Sequence, residues 1–331
     1  LAELEHHTGK IDALLYARRQ DSGFGVSQQN AAEGGQQKIG ADGQVRLGGN
    51  WSVLGQIYNE ENLNTSDTRD AILGKLQYQT DRGGVGVGAQ VVNDAAGSGT
   101  LAGQDFRSEQ ATVTANRFFM NRKLELSAQA DTALGGTSDS VDFPNRYVFG
   151  AGYALTDNAR LLVGQEFTDG GSFDTSTTRA GIQVMPWKGA RLDSTLNQSQ
   201  MSENGPRTFG QFGLTQAVLL TDKWGLDFSA DSSHTFNDSG KPVLVINPAH
   251  PVTPGGTLNS SMGLTEDFNA FSAGATYRES MWSWNGRAET RNGETTDRHG
   301  LVTNFLRQAM SGVAFASTAE MFRTEEDSGA N

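Results

Sequence analysis

The stretch Trp224-Gly-Leu-Asp-Phe-Ser-Ala-Asp231 alternates large apolar residues with glycine and polar residues. Successive side chains of a β-strand point to opposite faces, so as a strand this stretch has one apolar face and one polar face. The same period of two recurs over residues 38–47, 123–134 and 281–291. Alternation that recurs along the whole chain predicts antiparallel strands, each with an apolar and a polar side.

The composition fits strands whose polar face meets water rather than a packed core. Only 36% of the 331 residues are hydrophobic, and glycine contributes 41 residues; the mean hydropathy is -0.48. A soluble chain of this length normally carries more apolar residues, because it must fill a sizeable core. In a transmembrane barrel the outside faces lipid and the inside faces water, so only every second strand residue has to be apolar. The composition therefore favours a transmembrane β-barrel.

Other classes of protein are excluded by what the sequence lacks. It has no run of 18 or more apolar residues, which excludes a transmembrane helix. It has no cysteine, which excludes disulfides and thiolate metal sites. The net charge of -12 argues against a nucleic-acid partner, since phosphate binding needs clustered Lys and Arg. We expect no cofactor, no metal site and no enzymatic activity, and we expect any signal peptide to lie outside this sequence.

The connecting segments separate the two ends of the predicted barrel. About seventeen strands of roughly ten residues are predicted between residues 10 and 323, the strand length that crosses a bilayer. Short turns rich in Gly, Asn and Asp alternate with long polar loops such as 20–35 and 237–267. Outer-membrane barrels have tight turns on the periplasmic side and long loops outside. The predicted fold is an all-β, antiparallel, up-and-down transmembrane barrel of about 16–18 or more strands.

The tryptophans mark the short-turn end. All five lie at or beside a short turn, namely Trp51, Trp187, Trp224, Trp282 and Trp284. Indole favours the headgroup layer, where its ring is half buried and its N–H stays wet. The set is therefore interpreted as a periplasmic aromatic girdle, with ordinary strand aromatics as the alternative for any single residue.

The whole chain resembles the outer-membrane β-barrel superfamily of Gram-negative bacteria. The runs Leu155-Thr-Asp-Asn-Ala-Arg-Leu161 and Leu220-Thr-Asp-Lys-Trp-Gly-Leu226 look like its turn-and-strand units. They are also similar to the C-terminal barrels of very large bacterial surface proteins. The resemblance implies a location in the bacterial outer membrane, with outer-membrane lipid and lipopolysaccharide as partners. Other barrel subunits or a periplasmic protein are further candidate partners.

Three segments are predicted. Residues 1–9 form a periplasmic lead-in or linker, 10–323 the barrel, and 324–331 the start of an exposed loop. Bacterial single-chain barrels have an even number of strands, whereas seventeen is odd. Either the count is wrong by one strand or the chain is part of a larger barrel, and we favour the second interpretation.

The polar faces together are predicted to line the lumen. The candidate lumen-lining residues are Lys38, Asp42, Arg46, Lys75, Lys123, Glu125, Asp131, Arg160, Glu166, Arg179, Arg191, Asp193, Asp227, Asp231, Arg287, Glu289 and Arg291. One interpretation is a water-filled channel for passive passage of ions or small polar solutes. In the other, the charges pair across strands in a plugged lumen. The alternative function is a membrane anchor or export conduit for a larger surface-exposed or periplasmic portion.

Further motifs are weaker. The loop 237–267 contains four of the seven prolines and an apolar run at 243–246, which predicts a constriction, a lid or a plain surface loop. Ser232 and His234 share a strand face, but no acid or carboxamide partner is evident, so we expect no hydrolase. The glycine-rich run 84–90 is a small-residue strand face rather than a phosphate cradle. The loop 169–174 is interpreted as a solvated acidic loop rather than a Ca²⁺ site.

Overall fold

The chain consists of β-strands joined by turns wherever its structure is described. The computed structural model describes residues 2–20, 35–63, 66–95, 105–135, 144–169, 174–201, 205–239, 267–294, 296–310 and 313–326. Its strands are β1 Ala2–His7, β2 Ile11–Gln20, β3 Gln36–Gly48, β4 Trp51–Asn62, β5 Thr68–Thr80, β6 Gly83–Ala95, β7 Asp105–Phe119, β8 Leu124–Ala133, β9 Asn145–Thr156, β10 Ala159–Asp169, β11 Asp174–Val184, β12 Ala190–Met201, β13 Gly205–Leu219, β14 Trp224–Asn237, β15 Phe268–Arg278, β16 Trp282–Gly293, β17 Thr296–Met310 and β18 Val313–Glu326. Within these ranges no helix is long and apolar enough to cross a membrane.

The eighteen strands form one antiparallel up-and-down sheet. Each strand pairs with the next one along the chain, from β1–β2 to β17–β18. No register joins β18 to β1 in the described part of the chain, so the sheet is open between these two edge strands. The predicted all-β, antiparallel, up-and-down fold is confirmed, and eighteen strands fall within the predicted number.

The N-terminal segment differs from the prediction. The predicted lead-in at residues 1–9 contains strand β1, which pairs with β2 across a turn in which Thr8 Oγ1 accepts a hydrogen bond from the backbone N–H of Ile11 at 2.9 Å. The sequence signal was weak because Leu4 is the only large apolar residue of the strand. The strand count is therefore even, and the odd count no longer supports the interpretation that the chain is part of a larger barrel, which stays a prediction.

The two faces of the sheet reverse the arrangement of a soluble protein. Apolar side chains on one face are exposed, among them Ile57, Ile72 and Val85, each more than half accessible. On the opposite face polar and charged side chains such as Asp94 and Glu166 are buried. A continuous exposed apolar surface needs lipid around it, since water would penalise it. The apolar face is accordingly called the outward face and the polar face the luminal face.

Every connection from an odd-numbered strand to the next even-numbered strand lies at one end of the sheet and is short. The turns at 8–10, 49–50, 81–82, 120–123, 157–158, 185–189, 220–223 and 279–281 join odd-numbered strands to the even-numbered strands that follow. The predicted long loops all lie at the opposite end, and most of their residues fall outside the described part of the chain. We call these the turn end and the loop end. The lengths of the connections separate the two ends less sharply than predicted, because only residues 202–204 and 294–295 join β12 to β13 and β16 to β17 at the loop end.

Candidate functional site

The luminal face carries a band of buried polar residues near the loop end. Its members, here called the luminal belt, are each accessible to 9% or less: Glu60, Arg69, Asp94, Gln110, Asp131, Glu166, Thr177, Asn197, Ser199, Arg207, Ser233, Glu289 and Arg291. The strand register places several members directly opposite one another, as in the runs Glu60–Arg69–Asp94 and Glu166–Thr177–Ser199–Arg207. Buried polar groups are costly unless they are hydrogen-bonded, so the belt depends on partners from neighbouring strands.

One ion pair of the belt is bidentate. Arg69 donates from Nε to Asp94 Oδ1 at 2.6 Å and from a terminal nitrogen to Oδ2 at 2.7 Å. The two side chains are accessible to only 8% and 5%. A guanidinium matches a carboxylate in this fork geometry, which makes the pair both strong and directional. The pair therefore fixes the register of β5 against β6 at the loop end.

A second carboxylate of the belt, Asp131, collects donors from three strands. A terminal nitrogen of Arg146 on β9 lies 2.8 Å from the Asp131 carboxylate. Thr112 of β7 donates to it at 2.7 Å, and Gln129, which is on β8 with Asp131, donates at 2.8 Å. The carboxylate of Asp131 therefore links β7, β8 and β9.

Hydrogen bonds to neutral acceptors continue the belt around the sheet. The hydroxyls of Thr177 and Ser199 are 3.0 Å apart, and Arg179 Nε donates to Asn197 Oδ1 at 2.6 Å. Arg207 donates to the hydroxyl of Thr235 at 2.7 Å. The belt therefore mixes charged and neutral partners, and neither sign of charge dominates it.

Charged side chains nearer the turn end also form pairs, across strands or within one strand, but they are more accessible. Arg287 donates to Asp227 at 2.6 Å, Arg191 donates to Asp193 at 2.8 Å, and Arg160 pairs with Glu125. Lys38 at the loop end similarly lies 3.2 Å from Glu60, and Arg46 lies 3.1 Å from Asp12. The luminal charges therefore lie mainly in pairs of opposite sign.

Glycines explain how these side chains lie. A Cβ placed on Gly152 would fall 2.4 Å from the guanidinium of Arg160, and one on Gly274 would fall 2.4 Å from the carboxylate of Asp227. One on Gly86 would likewise meet the side chain of Lys75 at 2.6 Å. Because glycine has no side chain, the long polar groups of the neighbouring strands fold down over it. They therefore lie along the wall of the sheet instead of pointing straight into the lumen.

The predicted lumen-lining residues divide by position. Four belong to the belt: Asp131, Glu166, Glu289 and Arg291. Twelve others lie on the luminal face outside the belt: Lys38, Asp42, Arg46, Lys75, Glu125, Arg160, Arg179, Arg191, Asp193, Asp227, Asp231 and Arg287. Lys123 differs, because it lies exposed in the 120–123 turn before β8 begins. Asp42 has one buried carboxylate oxygen for which no hydrogen bond is found.

Sequence reasoning missed several members of the belt. Arg69 and Asp94 are the clearest cases, since the predicted strands ended at these residues. Both continue the polar alternation of their strands, because an even number of positions separates Arg69 from Lys75 and Asp94 from Gln90 and so places each pair on one face. That alternation could have identified their face, but it could not have shown that they pair.

The tryptophans all lie near the turn end. Trp51 stacks on Tyr78 with ring centroids 4.9 Å apart, and Trp224 stacks on Tyr277 at 4.8 Å. Trp284 donates from its indole N–H to Thr303 at 2.8 Å. Four of the five are more than a third exposed, as expected for rings on the outward face. Their role as a membrane-interface girdle stays a prediction.

Ser232 and His234 have partners that the sequence did not reveal. Asp267 lies 2.9 Å from His234 Nδ1, and Ser232 donates to Asn269 at 2.8 Å. The expectation that no acid or carboxamide partner is near was therefore wrong. The serine proton is directed to Asn269, and no hydrogen bond joins Ser232 to His234 in the described residues, so the serine is not activated by this base.

The remaining motifs are only partly described. The run 84–90 lies inside β6, as predicted. The loop segments 170–173 and 240–266, including the apolar run 243–246, lie outside the described residues. Among the described residues no group of three or more His, Asp or Glu side chains could hold a metal ion.

The comparisons with known proteins relate this chain to outer-membrane proteins through structure alone. No protein-family model and no curated protein matches it. It is similar to the siderophore receptor PirA from Pseudomonas aeruginosa, with a TM-score of 0.54 and 13% identity over 88% of this chain and 63% of the receptor. Further matches are a mutant of the ferric enterobactin receptor PfeA from Pseudomonas aeruginosa (TM-score 0.49, 10% identity, 95% of this chain and 61% of that one) and a bacterial polysaccharide outer membrane secretin (TM-score 0.45, 10% identity, 88% and 90%).

At 13% identity the likeness to PirA shows the fold alone. The chain spans 63% of the length of that receptor. Its sheet has the architecture of bacterial outer-membrane barrels, and its outward apolar surface requires lipid. The predicted outer-membrane β-barrel fold is confirmed.

Proposed function

We propose that this chain forms a water-filled passage through the outer membrane for ions or small polar solutes. The observation that carries the proposal is the flat arrangement of luminal charges. Arg160 lies over Gly152 and Asp227 lies over Gly274, and each pairs across that glycine with a charged residue two strands away. Charges that lie along the wall leave the space beyond them to water and solutes.

Paired charges of both signs determine what such a passage does to ions. Pairs such as Asp227 with Arg287 and Asp193 with Arg191 place opposite charges side by side on the wall. Rings of one sign would select against ions of that sign, whereas neighbouring pairs largely cancel at a distance. We therefore expect weak ion selectivity and a conductance that follows the salt concentration.

Single-channel recording in planar lipid bilayers tests this function. The full chain is folded in detergent, and its folded state is verified by far-UV circular dichroism and by heat-modifiable migration on a gel. We expect stable, ohmic conductance steps after insertion. Absence of conductance after verified insertion would refute the proposal. Heat-denatured protein at the same detergent concentration is the control for detergent-induced leaks.

A second candidate function is a membrane anchor or export conduit for a larger surface-exposed or periplasmic portion. The observation that favours it is the burial of the luminal belt, where Glu166, Thr177 and Asn197 are inaccessible to solvent. A belt closed to bulk water suits a lumen that is filled rather than open. The same bilayer recording separates the two functions, because an anchor inserts without conducting.

A further inference from the structure

The outward face carries a groove near the turn end. Its volume is about 870 Å³, within the range of small-molecule sites of roughly 300–1,000 Å³. Its lining is mainly apolar and runs across seven strands, β5 to β11, with Val85, Phe119, Leu126, Phe149 and Val163 as its large apolar side chains on β6 to β10. Phe149 and Val163 are each more than half exposed, so the groove opens toward the surrounding lipid.

Two arginines line the same groove at its turn end. Arg82 lies in the 81–82 turn, and Arg117 lies opposite Gly83 near the end of β7. The guanidinium of Arg117 lies 5.4 Å from the ring centroid of Phe119, which holds it on the outward face. The groove therefore combines an apolar channel with two cationic groups at one end.

These two guanidinium groups lack the acidic partners that the luminal arginines have. No ion pair joins Arg82 or Arg117 to a carboxylate in the described part of the chain, although Asp81 is adjacent to Arg82. By contrast, Arg160 and Arg287 each pair with a carboxylate two strands away. A cation at the edge of an apolar groove in lipid surroundings is complementary to an anion attached to an apolar chain.

We propose that this groove binds an anionic glycerophospholipid. The phosphate is held by Arg82 and Arg117, because guanidinium groups donate paired hydrogen bonds to phosphate oxygens. One acyl chain lies along Phe119, Leu126 and Phe149. Acyl chains gain little by moving from lipid to an apolar protein surface, so selectivity among lipids comes from the headgroup. The inference is independent of whether the lumen conducts.

Native mass spectrometry of the full chain tests the proposal. The protein is delipidated in detergent and then titrated with phosphatidylglycerol or with phosphatidylcholine of the same acyl chains. We expect phosphatidylglycerol to bind roughly tenfold more tightly, because both lipids carry the phosphate but the trimethylammonium group of phosphatidylcholine adds a cation beside the two arginines. Replacement of both arginines by glutamine (Arg82→Gln with Arg117→Gln) should remove that preference. Val163→Trp, which fills the groove, should reduce phosphatidylglycerol binding with both arginines present.

Arg122→Gln is the matched control. Arg122 lies at the same end but is absent from the lining of the groove, and it donates to the carbonyl oxygen of Asp81 at 3.2 Å. We expect this variant to bind phosphatidylglycerol as the parent chain does. Heat-modifiable migration verifies that each variant is folded. Equal binding of the two lipids, or a preference that survives the double arginine variant, would overturn the proposal. Displacement by lipopolysaccharide at equal concentration would also overturn it, because it would assign the groove to that lipid.

Discussion

The buried pair Arg69–Asp94 should be among the most sensitive points of the sheet. Its side chains are accessible to 8% and 5%, and its two hydrogen bonds measure 2.6 and 2.7 Å. Arg69→Met keeps most of the side-chain length but leaves Asp94 as an uncompensated buried charge. Breaking a buried ion pair in this way costs about 3–5 kcal/mol. For 331 residues this corresponds to a fall in Tm of roughly 4–7 °C, taking about 2.1 cal/mol/K of unfolding entropy per residue.

The assay is the temperature of the heat-modifiable gel shift in detergent, with far-UV circular dichroism as a second measure. Arg191→Met is the matched control, because the side chains of Arg191 and Asp193 are accessible to 58% and 42%. An exposed pair contributes about 0–1 kcal/mol, so that variant should lower Tm by about 1 °C or less. Removal of both buried charges, by Arg69→Met with Asp94→Leu, should recover part of the loss. Equal shifts for the two single variants would refute the reasoning from burial.

Three further predictions concern the lumen, the turns and the outward face. Gly152→Val should displace the Arg160 guanidinium from the wall and lower the single-channel conductance. Gly74→Val, whose added side chain meets open space, should leave the conductance unchanged. Equal conductance in both variants would contradict the flat arrangement of the charges. At the turn end, the ion pair with Lys223 holds the pKa of Glu279 below its usual range, and Glu279 raises the pKa of Lys223. On the acid side, the stability that the pair contributes is present above the usual carboxyl pKa and is lost as the pH falls through the lowered pKa of Glu279. On the basic side, it is present below the usual ammonium pKa and is lost as the pH rises through the raised pKa of Lys223. The unfolding midpoint of the parent chain should therefore exceed that of Glu279→Gln only between those limits, and a difference that does not vary with pH would exclude this cause. The five tryptophans should be quenched more strongly by a quencher at headgroup depth than by one at the bilayer centre; the reverse order would contradict the girdle.

The open edges of the sheet bear on how these measurements are read. Strands β1 and β18 run antiparallel to each other, as closure of an even-stranded barrel requires, but no register joins them among the described residues. Unpaired edge strands can pair with another chain. Conductance and gel-shift experiments should therefore be accompanied by a measurement of oligomeric state in detergent.

The sequence by itself determined the strands, their two faces and the two ends of the sheet. These are local properties, because the period of two follows from the backbone of a single strand and turn residues mark its limits. The positions of β15 Phe268–Arg278 and of the turn before Trp224 could therefore be predicted closely. Strand β1 was missed, because Leu4 alone gives that segment too little apolar alternation to identify it.

Only the tertiary structure decided which polar residues meet. Arg69 and Asp94 are 25 positions apart, and Asp131 receives Arg146 from the next strand. Such pairs depend on strand register, which is set by connections whose geometry cannot be read from composition. The tertiary structure also decided how accessible each polar residue is, since residues of the same face are buried in the luminal belt and accessible nearer the turn end. Burial at a given level of the sheet comes from neighbouring strands, so no single stretch of sequence contains it.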